Sequence, residues 1–207
     1  FTHAWVPGLW QYEYARRLGF PRERIETGMY SADSPVFEAV YEEAMARKAQ
    51  EFPHKFVYVG RYLALKGVLE LYHAFRELTE EGPVNWTLDL IGAGPLKDEL
   101  KETDHIRLKG FVQPHELPRL SLEAGVFVLP SRMDAWAVVL HEFAATGMPL
   151  ISTDAAGATT ALVKEGYNGW QFKAGSKDSL KEVFRKVMAK TDAELLEMGR
   201  RSNELSH

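Results

Sequence analysis

The 207 residues carry 25 Lys and Arg against 29 Asp and Glu, a formal net charge of −4, with 45% hydrophobic and 26% charged residues. That balance describes an ordinary globular protein with no global electrostatic footprint for nucleic acid. There is no cysteine, which removes disulfides, thiolate catalysis and cysteine-ligated zinc or iron–sulfur centres together.

No apolar run approaches the roughly 18 residues of a membrane span. The first residues, FTHAWVPG, lack the basic-then-apolar pattern of a signal peptide, so the expected location is cytoplasmic. The chain opens on Phe1 rather than Met, as though cut from something longer. Residues 1–35 read as the remnant of an amino-terminal domain followed by an interdomain linker. Within them a helix around QYEYARRLG is stopped by Gly19 and Pro21 and runs into RIETGMYSADSP, the composition of a hinge. Trp5, Trp10, Tyr12 and Tyr14 cluster there as if they once faced a neighbouring domain. Residues 36–51, VFEAVYEEAMARKAQE, read as an amphipathic helix that introduces the main domain, residues 36–207.

From residue 55 onward, β-branched or aromatic runs alternate with helix-period segments. The strands are KFVYVGR (55–61), NWTLDLIG (85–92), HIRLKGF (105–111), GVFVLPS (125–131), PLISTD (149–154) and NGWQF (168–172). Between them Val68, Leu71, Phe75 and Leu78 recur on one helical face, and Leu180, Val183, Phe184, Val187 and Met188 do so still better. Ser176 with Asp178 behind it, and Thr191 with Glu194 at capping-box spacing, mark helix starts. Strand–helix alternation with short connections predicts an α/β fold, a Rossmann-like parallel sheet with helices on both faces. Such sheets bind ligands beyond the carboxyl ends of their strands.

Three strand ends carry polar residues. Gly60 and Arg61, followed by Lys66 and Gly67, put two cations at a strand-to-helix turn, an arrangement suited to phosphate or to plain solvated charge. IGAGP (91–95) has the glycines of a tight turn, but GAGPLK lacks the third glycine of a dinucleotide fingerprint. SRMDAWAVVLHE (131–142) sets Asp134 and Glu142 on either side of a nearly apolar run. With a helix starting near Ala135, eight residues span about 12 Å, too far for the two acids to share a proton or a metal. They suit two ends of one long ligand, with the N–H groups of Ala135, Trp136, Ala137 and Val138 aimed at what lies between. Hydroxyl, diphosphate, hydroxyl is the outline of a nucleotide sugar.

Taken in order, VGRYLALKG, LIGAGPLKDEL, IRLKGFVQPHELPRL, AGVFVLPSRMDAWAVVLHEFAATGMPLISTD and NGWQF resemble the donor-binding half of the retaining nucleotide-sugar glycosyltransferases of family 4. Those enzymes have the GT-B architecture, two Rossmann-like domains facing a cleft. The resemblance covers residues 55–190 and extends more loosely to the start. It implies that Arg61 and Lys66 bind the diphosphate and support its departure. It also implies that Asp134 meets hydroxyls of the donor sugar, that Glu142 holds the ribose, and that the turn at Phe111 and Val112 bounds the base. Gly60 belongs to the same nucleotide-binding set, and Ala135, Trp136, Ala137 and Val138 offer backbone contacts. The resemblance implies no metal and no cofactor beyond the donor. The acceptor, whether sugar, lipid or small molecule, falls to an amino-terminal domain, and peripheral membrane association is compatible with this. The fragment alone is expected to bind donor weakly without turnover.

The chain departs from the family at Asp134-Ala135-Trp136-Ala137, where Glu-Gly-Phe-Gly is usual, and at Ala156-Gly157 and Thr160. A left-handed alanine costs about 1–2 kcal/mol, so right-handed geometry is expected at Ala135 and Ala137, with a tighter sugar pocket. Trp136 can stack on a sugar or plug the space under the helix start. His141 is expected to be structural rather than catalytic. Two rival readings stay open: a non-catalytic nucleotide-sugar-binding module, and an NAD-dependent Rossmann oxidoreductase, which the incomplete glycine fingerprint opposes.

Overall fold

The computed structural model describes all residues except 29, 31 and 33, which lie within the stretch read as a hinge. Six parallel strands form the main sheet: β3 (Lys55–Val59), β4 (Thr87–Ile91), β5 (Ile106–Gly110), β6 (Val126–Leu129), β7 (Leu150–Thr153) and β8 (Gly169–Phe172). Their order across the sheet is β5-β4-β3-β6-β7-β8. All six expected strands are present, each trimmed at one or both ends where the ladder stops. The chain runs outward one way from β3 to β5 and the other way from β6 to β8, so the switch point lies between β3 and β6. Phe56 pairs with Val126 there, and Val57 with Phe127.

Side-chain alternation divides the core. Phe56, Tyr58, Leu88, Leu90, Val126 and Val128 point to one face and pack with Val68, Leu71, Phe75, Val183 and Phe184. These last come from α4 (Val68–Glu81) and α7 (Lys177–Met188). Val57, Phe127, Leu129 and Leu150 point to the other face against Leu140, Phe143 and Ala144, which belong to α5 (Val138–Ala145). Burial on both faces explains why these strands read as continuous apolar runs rather than alternating ones. The exception, Asp89, is buried but meets Lys109 at 3.0 Å and Lys55 at 3.6 Å.

The expected caps form. Ser176 Oγ accepts from the Ser179 amide at 3.2 Å, and at the start of α8 (Asp192–Leu205) Thr191 and Glu194 make the reciprocal box. The Lys190 ammonium, helped by Thr191, holds the Glu194 carboxyl down at about 2. The segment 36–51 differs from expectation: it forms two helices, α2 (Ser34–Glu38) and α3 (Tyr41–Gln50). Phe37 of α2 turns onto Phe143 at 6.2 Å, whereas α3 packs along α8. One straight helix cannot serve both neighbours. The inner face of α3 buries Ala44, Met45 and Lys48.

Near the amino terminus, β1 (Ala4–Val6) and β2 (Ile25–Thr27) pair in parallel around α1 (Leu9–Arg17). These three-residue strands are too short for a periodicity argument. Val6, Ala15 and Ile25 make their small core, while Trp5, Trp10 and Tyr14 stay exposed. Among the described residues no helix is long and apolar enough to cross a membrane.

Candidate functional site

The turn after β3 is built by backbone packing. Gly60 N donates to Ile91 O at 3.0 Å and Tyr62 N to Ala93 O at 2.9 Å, so the turns after β3 and β4 are laced together. A Cβ on Gly92 would lie 1.9 Å from Gly60 O. The glycines of IGAGP therefore serve a close backbone approach, as the tight-turn reading expects. Two tyrosines hold the turn from below: Tyr58 Oη donates to Arg61 O at 2.9 Å and Tyr62 Oη to Leu90 O at 2.8 Å. Burial pushes the Tyr62 phenol up to about 12 and the Tyr58 phenol higher still, so both stay protonated donors.

Lys66 ends a short 3-10 turn, and Gly67 follows with φ 67° before α4 begins. A Cβ on Gly67 would meet Pro130 O at 1.9 Å, and Arg132 N donates to Leu65 O at 2.9 Å. The first turn is thus pressed against the end of β6, across the switch point. That contact delivers Lys66 Nζ to within 2.6 Å of Asp134 Oδ2, with side-chain exposures of 31% and 14%. Two residues 68 positions apart meet only through the sheet order.

The Asp134 loop is anchored on the chain beyond β7. Asp134 N donates to Ala155 O at 3.1 Å, Gly157 N to Asp134 O at 3.0 Å, and Ala158 N to Trp136 O at 2.8 Å. Trp136 is 2% exposed and fills the space beside Gly8, where a Cβ would come within 2.5 Å of its Cζ3. It is a plug. Tyr30 sits edge-on to it at 6.4 Å.

Two expectations fail here. Ala137 is left-handed, with φ 72° and ψ 70°; among the described residues no other non-glycine has positive φ. The loop is tied to residues 155–158 up to Trp136, and α5 must leave at once in another direction, so the single residue between them absorbs the bend. Accordingly α5 starts at Val138 rather than near Ala135. Of the four amides expected at a helix start, only that of Val138 is helical; those of Ala135, Trp136 and Ala137 belong to the bend. Only the four steps from Val138 to Glu142, roughly 6 Å of axis, are helical.

Glu142 is half-buried and lines a 260 Å³ cavity with Phe37, Pro114, His115 and Leu117. A neighbouring 210 Å³ cavity is lined by Gly60, Arg61, Ile91, Gly92, Phe111, Val112, Pro114 and Leu117. Pro114 and Leu117 are the shared wall. The structure therefore gathers Gly60, Arg61, Phe111 and Val112 around one cavity, places Glu142 in the next, and pairs Lys66 with Asp134 where the turn after β3 meets the end of β6. Neither of these two cavities is lined by both Asp134 and Glu142. Phe111, 69% exposed, stands at the rim. Pro114 and Leu117 escaped the sequence reading, although Gln113 and Glu116, which form a capping box on the 3-10 helix carrying them, have the legible spacing. His141 is structural as expected, with Nε2 2.8 Å from Ser206 O. A larger 460 Å³ depression beside Arg47, Pro53 and Leu122 lies at the opposite end of β3. A cation and a carboxylate beside an apolar slot can hold an anionic group, hydroxyls and a flat ring together.

Solved structures share this fold. Sucrose-phosphate synthase from Thermosynechococcus elongatus superposes with a TM-score of 0.78 at 20% identity, over 98% of this chain and 52% of that one. Anabaena Alr3699/HepE in complex with UDP and glucose does so with a TM-score of 0.75 at 16% identity, over 99% and 58%. In sequence, the chain is 29% identical over 168 residues to the putative colanic acid biosynthesis glycosyltransferase WcaL of Escherichia coli K12, covering 75% of this chain and 40% of that protein. It is 30% identical over 154 residues to the putative teichuronic acid biosynthesis glycosyltransferase TuaC of Bacillus subtilis 168, covering 73% and 38%. The chain thus spans less than half the length of these relatives. A family model described as glycosyl transferases group 1 matches residues 42–204, and the chain belongs to that family.

Proposed function

We propose that this chain is the donor-binding half of a retaining glycosyltransferase, one that moves a sugar from a nucleoside diphosphate to an acceptor hydroxyl. The observation that carries the reading is the Lys66–Asp134 pair at the switch point of the sheet, on the same post-β3 turn whose Gly60 and Arg61 line the cavity bounded by Phe111 and Val112. The Anabaena neighbour, solved with UDP-glucose, supports the choice of ligand class.

In this reading the base lies in the Phe111 cavity and the ribose hydroxyls donate to Glu142. The diphosphate draws Lys66 away from Asp134, and Arg61 adds a second cation. Asp134, released, accepts from the sugar hydroxyls. As the sugar–phosphate bond breaks, negative charge grows on the diphosphate; preorganised cations and loop amides stabilise that charge more than the ground state. The acceptor oxygen then attacks from the face the diphosphate leaves, its hydroxyl proton passing to the departing phosphate oxygen, which gives retention. The acceptor site belongs to a partner domain, of which residues 1–35 form the end. Metal independence and a cytoplasmic setting complete the proposal.

Calorimetric titration with UDP, GDP and ADP and their sugar conjugates tests it. Binding of one nucleotide, weakened by Lys66→Ala, is the expected result; no binding by any of them overturns the assignment.

A further inference from the structure

We infer that Gln11 is a positioning residue for the sugar end of the site, an inference that rests on the donor-site reading above. The first turn of α1 seats directly on the Asp134–Ala137 loop. Gln11 Nε2 donates to Ala135 O, 124 residues further along the chain. A Cβ on Gly157 would collide with that same carbonyl, at 2.2 Å, and approach Gln11 Nε2 at 2.8 Å. The contact is therefore tight from both sides.

Chemistry settles the orientation of the amide. A main-chain carbonyl only accepts, so the NH2 group must face Ala135. That leaves Gln11 Oε1 buried and without a partner, a costly arrangement that calls for a reason. The loop itself supplies one. Asp134 N, Asp134 O and Trp136 O are held by residues 155–158, whereas the carbonyl of Ala135 is held from α1. Ala135 C=O and Trp136 N–H belong to one rigid trans peptide. Gln11 thereby steadies the peptide next to Asp134, the residue given to the sugar hydroxyls. Through this bond the amino-terminal segment, which the proposed function gives to the acceptor-binding domain, reports its placement to the sugar-binding loop.

The test compares nucleotide sugar with nucleoside diphosphate, taken from the same panel, by calorimetry. Gln11→Met keeps the length and removes the donor; it is expected to weaken nucleotide-sugar binding about 5- to 10-fold while leaving the diphosphate within about 2-fold. Gln11→Glu, which sets a carboxylate against the carbonyl, is expected to weaken it further and provides a second variant should Gln11→Met fold poorly. A merely structural role would lower both affinities together or only the melting temperature. An unchanged ratio of the two affinities in both variants overturns the role of Gln11 alone. If the unmodified protein binds neither ligand, the donor-site reading falls, and this inference with it.

Discussion

Lys66 and Lys48 show what location does to the same side chain. At the carboxyl edge of the sheet, Lys66 is 31% exposed and meets Asp134 at 2.6 Å, so it has a partner at hand and can swing to an arriving anion. In the helical layer, Lys48 on α3 is 3% exposed, its ammonium has no partner, and burial pushes it down to about 7. A paired, half-solvated charge is a resource for binding. An unpaired buried one is a liability to stability, because nothing offsets the loss of water.

The sharpest way to break this contrast is Lys48→Met. The folded-state value near 7 lies below the ordinary 10.5, so between those values the unfolded chain binds the extra proton and stability rises with pH. The drop corresponds to as much as roughly 5 kcal/mol. Lys48→Met should recover a large part of that at pH 6 to 7, flatten the rise in stability toward pH 10, and leave nucleotide affinity unchanged. Denaturant unfolding across pH measures the first two effects and calorimetric titration the third. Next in size, Lys66→Ala should weaken nucleoside diphosphate binding about 30-fold, the worth of a hydrogen bond to a charged group, with little change in stability.

Asp134→Asn sharpens the comparison by removing the partner while keeping the lysine. With no carboxylate competing for Lys66, diphosphate affinity should rise by about 3-fold, while the preference for nucleotide sugar over diphosphate collapses. A fall in diphosphate affinity would mean that Asp134 serves chiefly to hold Lys66 in place. The smallest effect is that of one change in the bend beside it. Ala137→Gly relieves a left-handed alanine but frees the unfolded chain and loses a buried methyl, so stability should stay within about 1 kcal/mol of the original. Ala137→Val, β-branched at positive φ, should lose at least about 2 kcal/mol.

Much of the fold was legible because its strands and long helices have strong local signatures. The apolar stripe of Val68, Leu71, Phe75 and Leu78 and the box at Thr191 and Glu194 are readable without neighbours, and all are present. The break between α2 and α3 was not legible, since 36–51 has helical composition throughout and bends only because Phe143 and α8 lie in different directions. Likewise nothing in the sequence singles out Lys48. Its burial depends on which face α3 turns inward. At the site, Gly60 and Arg61 could be nominated from their place at a strand end and Glu142 from its place in SRMDAWAVVLHE, whereas Phe111 and Val112 came from the family resemblance alone. Pro114 and Leu117 could not be nominated, because a cavity wall has no pattern of its own.

By itself, the sequence determined the strand–helix alternation, the parallel sheet it requires and the strand ends where polar residues gather. These follow from periodicity, propensity and chain connectivity, which act over a few residues at a time. Only the tertiary structure decided that Lys66 meets Asp134, that Trp136 is a plug, that Ala137 is left-handed and that Gln11 reaches Ala135. Each of these depends on backbones brought together from distant parts of the chain: Gly67 lies against Pro130 across the switch point, and Gly157 against Ala135 beyond the ends of β6 and β7. Close approach between distant segments is a property of the packed chain, and no local window of residues encodes it.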